Sequence, residues 1–364
     1  MRLGVQACLV DGRLEPGDVE VVDGAVVAVG LEGGSGGIAV PGFLDLQVNG
    51  FAGVDFLGAD AEGYREAADA LLETGVTAFQ PTFITSGEDD LVDALRALPA
   101  EQPARGARVL GAHLEGPFLA PTRLGTHPAA HRRDPDLALL ERLVAAGRVR
   151  MMTIAPELPG ALELIDVLQA QGIVVSLGHS NATAAEAHAA FDRGVRTITH
   201  VFNAMRPLTH RDPGIVGAAL VRQDVVVQAI VDGVHLDGDV VRLLWSLAAG
   251  RFALVSDAVA AAGLGDGDYS LGSVDLAVSD GVARRSDGVL AGSTLTMIQA
   301  LRNLVELGVP LERAAEAASL VPASIIGAVE LGRLGVGRPA DVVVLDDNLE
   351  IVRVLVAGET RVAG

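Results

Sequence analysis

The chain contains no lysine: all 27 of its basic residues are arginine. That excludes a Schiff-base lysine, a phosphate-loop lysine and a carbamylated lysine bridging two metals. Its single cysteine, Cys8, excludes an intramolecular disulfide and fits a reducing cytoplasm. Aromatic residues make up only 3% of the chain although half of it is hydrophobic, so the core must be built from Val, Leu, Ile and Ala. No apolar run reaches the ~18 residues that span a bilayer. The N-terminal stretch has neither a long apolar segment nor a small-residue cleavage site, so no secretion signal is expected. Positive charge is also scarce. A net charge of −20 argues against nucleic acid and anionic membrane surfaces as partners. A small anionic substrate stays open if a local cationic site overrides that field.

What is present points to an α/β protein. A length of 364 residues suffices for one large domain and a small one. Residues 1–40 read as short strands with turns, and valine pairs flanking Asp23 and Gly24 signal a hairpin. Residues 340–364 again read as strand, turn, strand. Neither end makes a stable sheet alone. Segments 1–40 and 335–364 are therefore expected to join in one small β-sandwich domain beside a central domain over 41–334. Within that centre, eight apolar strand candidates lie at 43–50, 77–83, 109–116, 150–157, 173–180, 197–203, 225–235 and 252–258. Helical patterns such as 61–75, 137–147 and 161–172 alternate with them and end in glycine. Eightfold alternation predicts a (β/α)8 barrel of the TIM type, with an open doubly wound sheet as the alternative. A β-hairpin insert is expected near 265–290.

Four of the strands share a design. The run over 109–118, VLGAHLEGPF, leads to Glu115, and a carboxylate at the end of a buried strand is costly unless it is paired or binds a metal. The runs over 173–183, 196–205 and 252–259 lead in the same way to His179, His200 and Asp257. Two imidazoles and a carboxylate with an open position for water suit zinc, or iron, manganese or cobalt. Any one of these histidines alone reads as an ordinary buried imidazole; their recurrence at strand ends argues for a site. Asp257 beside an activated water would serve as acid/base, and its bland role would be to cap the next helix. His127 and His235 read either as substrate-orienting groups or as loop residues. His113 shares a strand face with Glu115 and is expected to support the site without ligating. Arg211 offers a planar fork suited to phosphate or carboxylate.

The segments PGFLDLQVNG (41–50), HLEGPF (113–118), GHSNAT (178–183), THVFNAM (199–205), DGVHL (232–236), VSDA (255–258) and LAGSTLTM (290–297) carry a resemblance. Together they resemble the N-acetylglucosamine-6-phosphate deacetylase family of the amidohydrolase superfamily, in the same order over nearly the whole chain. The resemblance implies a barrel with a small β domain made from both termini, in a cytoplasmic homodimer. It implies metal-dependent hydrolysis of N-acetylglucosamine 6-phosphate to glucosamine 6-phosphate and acetate. Glu115, His179 and His200 would be the metal ligands and Asp257 the acid/base. Thr126, His127, Asn203, Ala204, Arg211, Asp232, Gly233, Val234, His235, Leu290, Ala291 and Gly292 would contact substrate, with Arg211 on the 6-phosphate. The superfamily's first strand usually carries His-x-His for a second metal, but here Gln47 and Asn49 stand there. A neutral amide is a poor zinc ligand, so one divalent metal per subunit is expected, zinc first. Some members of the deacetylase family share this Gln-x-Asn form. N-Acetylgalactosamine 6-phosphate or another N-acyl compound is the neighbouring alternative. A catalytically silent sugar-phosphate-binding barrel is the remote one.

Overall fold

Strands that are apolar along their whole length need parallel neighbours and covering helices. The computed structural model, which describes residues 1–34, 36–100 and 105–363, supplies both. Its barrel strands are Phe43–Val48, Val76–Ile84, Ala112–Glu115, Val149–Ile154, Val174–Leu177, Thr197–Ile198, Val226–Ala229 and Phe252–Leu254. Each pairs in parallel with the next. Beyond the eighth strand the chain returns to the first through a parallel bridge between Val48 and Ala258. There the amides of Asn49 and Gly50 donate to the Ala258 carbonyl at 2.8 and 3.2 Å. The result is a nearly closed barrel, not an open sheet. Every residue of the first two strands is buried.

The helices that cover the barrel follow local signals. Thr183 and Glu186 form a reciprocal capping box at the start of Ala184–Asp192, satisfying backbone amides that have no partner in the first turn. The helical pattern over 311–327 splits into Leu311–Ala318 and Leu320–Ile325. Pro322 has no amide hydrogen to offer the preceding turn, so one helix cannot run through. No helix among the described residues is long and apolar enough to cross a membrane.

Both chain ends build a mixed six-stranded sheet in the order Arg13–Pro16, Ala7–Val10, Ile38–Pro41, Val342–Leu345, Ile351–Val356, Glu359–Ala363. The ends meet in its middle, where Val40 faces Val343. A hairpin of Asp18–Val22 and Ala25–Leu31 turns on Asp23 at φ +48° and Gly24 at φ +80°, the left-handed pair that a two-residue turn requires. Its Val19, Val21 and Val26 pack on Cys8, Ala39, Val342 and Leu355 of the sheet, making two layers. After the eighth barrel strand comes a three-stranded antiparallel insert, Gly267–Leu271, Val274–Ser279 and Val282–Arg284. Leu271, Leu276, Val278 and Ala283 seat it on Ile84, Val259 and Ala261 at the C-terminal mouth of the barrel.

Candidate active site and metal centre

Glu115 is the last residue of the third strand; His179, His200 and Asp257 lie just beyond the fifth, sixth and eighth. Three of these four leave the strand in a left-handed conformation, with φ of +45°, +25° and +51° for His179, His200 and Asp257. Side chains other than glycine rarely adopt it, and it persists where the surroundings over-determine the residue, which happens most at functional sites.

Glu115 Oε1 lies 2.9 Å from His200 Nε2 and 3.2 Å from His179 Nε2, and the two nitrogens are 3.1 Å apart. His179 Nδ1 is 2.9 Å from the carbonyl oxygen of Arg123. A carbonyl only accepts, so Nδ1 carries the proton and Nε2 presents a lone pair to the cluster. Acceptors thus crowd a single point with too few protons to join them. A divalent cation satisfies such a cluster, and the three ligand atoms, within 4.8 Å of one another and all on buried residues, fit that group. Burial works against charge on Glu115, but the imidazoles of His127, His179 and His200 around it hold its carboxyl well below the ordinary range.

The surrounding groups are donors. Thr85 donates its amide to His127 Nδ1 at 3.2 Å, so the proton of that imidazole sits on Nε2, 3.5 Å from Glu115 Oε2. Burial, reinforced by His179, lowers His127 to about 4, so the ring is neutral at neutral pH. On the first strand, Gln47 Nε2 donates to both Glu115 Oε1 and Asp257 Oδ1 at 3.1 Å, and just beyond that strand Asn49 Nδ2 donates to Asp257 Oδ1 at 2.7 Å. Both amides turn their nitrogens, not their oxygens, toward the carboxylates. Burial and the nearby charge of Glu115 push Asp257 up to about 6. Beneath the cluster, His113 uses both ring nitrogens on Thr82 and Thr153, at 3.3 and 2.7 Å, and so supports the mouth without ligating.

A cavity of about 420 Å³ opens onto this centre. Thr126, His127, Asn203, Ala204 and His235 line it, with Leu290 and Gly292 from the loop that follows the insert. Asp232 Oδ2 lies 2.7 Å from His235 Nδ1 and fixes that ring. Gly233 and Val234 are exposed and Ala291 is buried, and none of the three reaches the cavity wall. Arg211 is also exposed and stands outside the cavity of its own chain. The cations that do line it are Arg123 and Arg284. Arg123 shares a loop with Thr126 and His127, a proximity visible in the sequence; Arg284 arrives on the insert, where no local pattern marks it. His188 lies in the helix Ala184–Asp192 and edges against Phe191, and His210 is exposed, so neither joins the site.

Comparison with known proteins agrees with this geometry. The sequence pattern of the Amidohydrolase family matches residues 38–361. The chain is similar to an N-acetylgalactosamine-6-phosphate deacetylase of Escherichia coli O157:H7, 35% identical over 360 residues that cover 96% of each chain. It is 40% identical to an N-acetylglucosamine-6-phosphate deacetylase of Bos taurus, over 89% of this chain and 83% of that one. Its fold superposes with a TM-score of 0.93 and 36% identity on a mutant N-acetyl-D-glucosamine-6-phosphate deacetylase of Mycobacterium smegmatis solved with N-acetyl-D-glucosamine-6-phosphate, covering 99% and 98% of the two chains.

Proposed function

The chain belongs to the amidohydrolase family, and from that premise we propose that it hydrolyses the acetamide of N-acetylglucosamine 6-phosphate to glucosamine 6-phosphate and acetate. The observation that carries this reading is the convergence of Glu115, His179 and His200 beside Asp257 at the floor of one cavity.

A single divalent metal, zinc in our reading, would be held by Glu115, His179 and His200 and would acidify a water while polarising the acetyl carbonyl. Asp257 takes a proton from the attacking water and returns it to the departing sugar nitrogen. The Nε2–H of His127 faces the centre and suits the oxygen on which negative charge develops. His235, oriented by Asp232, would hold the sugar together with Thr126, Asn203, Ala204 and the 290–292 loop, so that binding energy becomes orientation of the amide. Arg211 does not line its own chain's cavity, so its hold on the 6-phosphate is tied to the homodimer we propose, in which an exposed loop of one chain reaches its partner's cavity. A cytoplasmic location fits the free, buried Cys8.

N-Acetylgalactosamine 6-phosphate is a second reading, favoured by the E. coli relative that covers 96% of this chain. The test is acetate release from both sugar phosphates and from unphosphorylated N-acetylglucosamine, with metal content measured on the same sample. Turnover confined to the first sugar phosphate, with one metal per chain, is expected. Faster turnover of the galacto epimer would select the second reading, and no turnover of any of them in metal-replete protein would overturn both.

A further inference from the structure

A general base must present one oxygen at one place, because proton transfer needs the acceptor within hydrogen-bond reach of the water. A carboxylate does not guarantee this by itself, since its terminal torsion is broad and roughly two-fold. Asp257 solves the problem asymmetrically. Its Oδ1 receives Asn49 Nδ2 at 2.7 Å and Gln47 Nε2 at 3.1 Å, while Oδ2 accepts no hydrogen bond among the described residues. Asp257 itself lines the cavity.

The two donors are rigidly placed. Gln47 lies in the first strand and Asn49 directly follows that strand's last residue, and both are at most 2% exposed. Asn49 is tied to the residue that follows Asp257 in the chain: its backbone amide donates to the Ala258 carbonyl at 2.8 Å and its side chain to the same oxygen at 3.3 Å. The backbone of Asp257 is pinned from the opposite side, where the Ser293 amide donates to its carbonyl at 2.8 Å. Gly292 permits that approach, because a Cβ there would sit 2.7 Å from the same carbonyl oxygen, on a backbone at φ +61°. The donors differ in one respect. Gln47 also holds Glu115, whereas Asn49 makes no hydrogen bond to Glu115, His179 or His200.

From this we propose that Asn49 is a positioning residue for the reaction: with Gln47 it locks Oδ1 of Asp257 and leaves Oδ2 as the only oxygen presented to the reacting water. The proposal rests on the reading of Asp257 as the general base. In the step it serves, a water O–H bond breaks, an Oδ2–H bond forms, and the hydroxide oxygen keeps the electron pair with which it attacks the acetyl carbon.

The test compares wild type with Asn49→Leu, which keeps the shape and removes the donor, and with the isosteric Asn49→Asp. For Asn49→Leu, kcat for acetate release should fall about 10- to 100-fold, less than the roughly 10²- to 10⁴-fold that positioned proton transfer as a whole contributes, because the base is misaligned and not removed. KM and bound metal per chain should stay near the wild-type values, and a crystal structure should show the Asp257 carboxylate turned from its wild-type plane. Asn49→Asp should lose at least as much. Full kcat in either folded variant, loss of metal in parallel with kcat, or an unmoved carboxylate would overturn the proposal. Absence of turnover in wild type would fall on the proposed activity alone, and the carboxylate orientation in Asn49→Leu would still decide this point.

Discussion

At the scale of single residues, the site turns on two carboxylic acids that burial treats differently. Asp257 reaches the cavity, and its role as base gives the plainest expectation. An amide of the same shape cannot accept the water's proton, so Asp257→Asn should reduce kcat by about 10²- to 10⁴-fold. It should keep its metal, because Glu115, His179 and His200 are untouched. Acetate release and metal analysis on one preparation check both halves. Asp45 lies deeper, 1% exposed, and accepts the backbone amides of Gln47 and Ser256 at 3.3 and 3.2 Å through Oδ1. Burial pushes its carboxyl from 3.8 up to about 7. An acid whose folded pKa is raised binds its proton more tightly folded than unfolded, so the folded state loses stability as pH rises from the unfolded value to the folded one. Asp45→Asn keeps the acceptor oxygen and removes that cost. It should be more stable than wild type at pH 8, by about 1 kcal/mol or more, with the gap closing toward pH 4. Denaturation across that range measures it, and an equal difference at every pH would refute it. Glu115, His179, His200 and Asp257 were legible in the sequence because each ends an apolar run. The donor role of Gln47 and Asn49 was not, since the sequence says what an amide cannot ligate but not which way its nitrogen points.

At the scale of elements, legibility followed the length of the apolar run. The second strand, Val76–Ile84, is nine residues long and lies where its run does. The sixth is only Thr197–Ile198, because the chain must leave the ladder to turn His200 inward at φ +25°. The third is preceded by a separate pair, Arg108–Val109, since Gly111 at φ +103° interrupts the ladder. Alternating polarity also cannot say whether an insert has two strands or three, so the arrival of Arg284 and Leu271 at the cavity needs the fold. One buried cation holds several elements together through backbone carbonyls. Arg251, 7% exposed, donates to the carbonyls of Leu220 at 2.6 Å, Val225 at 2.8 Å and Leu247 at 2.9 Å. Leu220 and Leu247 lie near the ends of Gly214–Val221 and Gly238–Ala248, where helical carbonyls lack partners of their own. Arg251→Met fills the space but strands those acceptors. It should cost about 2–3 kcal/mol in chemical denaturation, while kcat stays near wild type because the contacts lie away from the cavity. A variant of unchanged stability would show that the carbonyls find other donors.

At the scale of the whole molecule, the metal and the fold are linked. Glu115, His179 and His200 come from the third, fifth and sixth strands, so a bound ion ties half of the barrel mouth together. The barrel should fold without it, because its core is a continuous apolar interior reaching from Leu9 to Val356. What the ion changes is the free energy of a mouth in which a buried carboxylate and two imidazoles meet with too few protons. An ion that binds only the folded state stabilises it by about 4 kcal/mol when its free concentration is a thousand times its dissociation constant. Chelation should therefore lower the thermal midpoint while leaving a cooperatively folded protein, and added zinc should restore it. Glu115→Gln separates this effect from nonspecific binding: that variant has lost its charged ligand, so chelator and zinc should move its midpoint far less than wild type's. If chelation left the wild-type midpoint in place, the three residues would not be holding a resident ion. If it shifted wild type and Glu115→Gln equally, the ion would be bound elsewhere on a chain whose net charge of −20 attracts cations broadly.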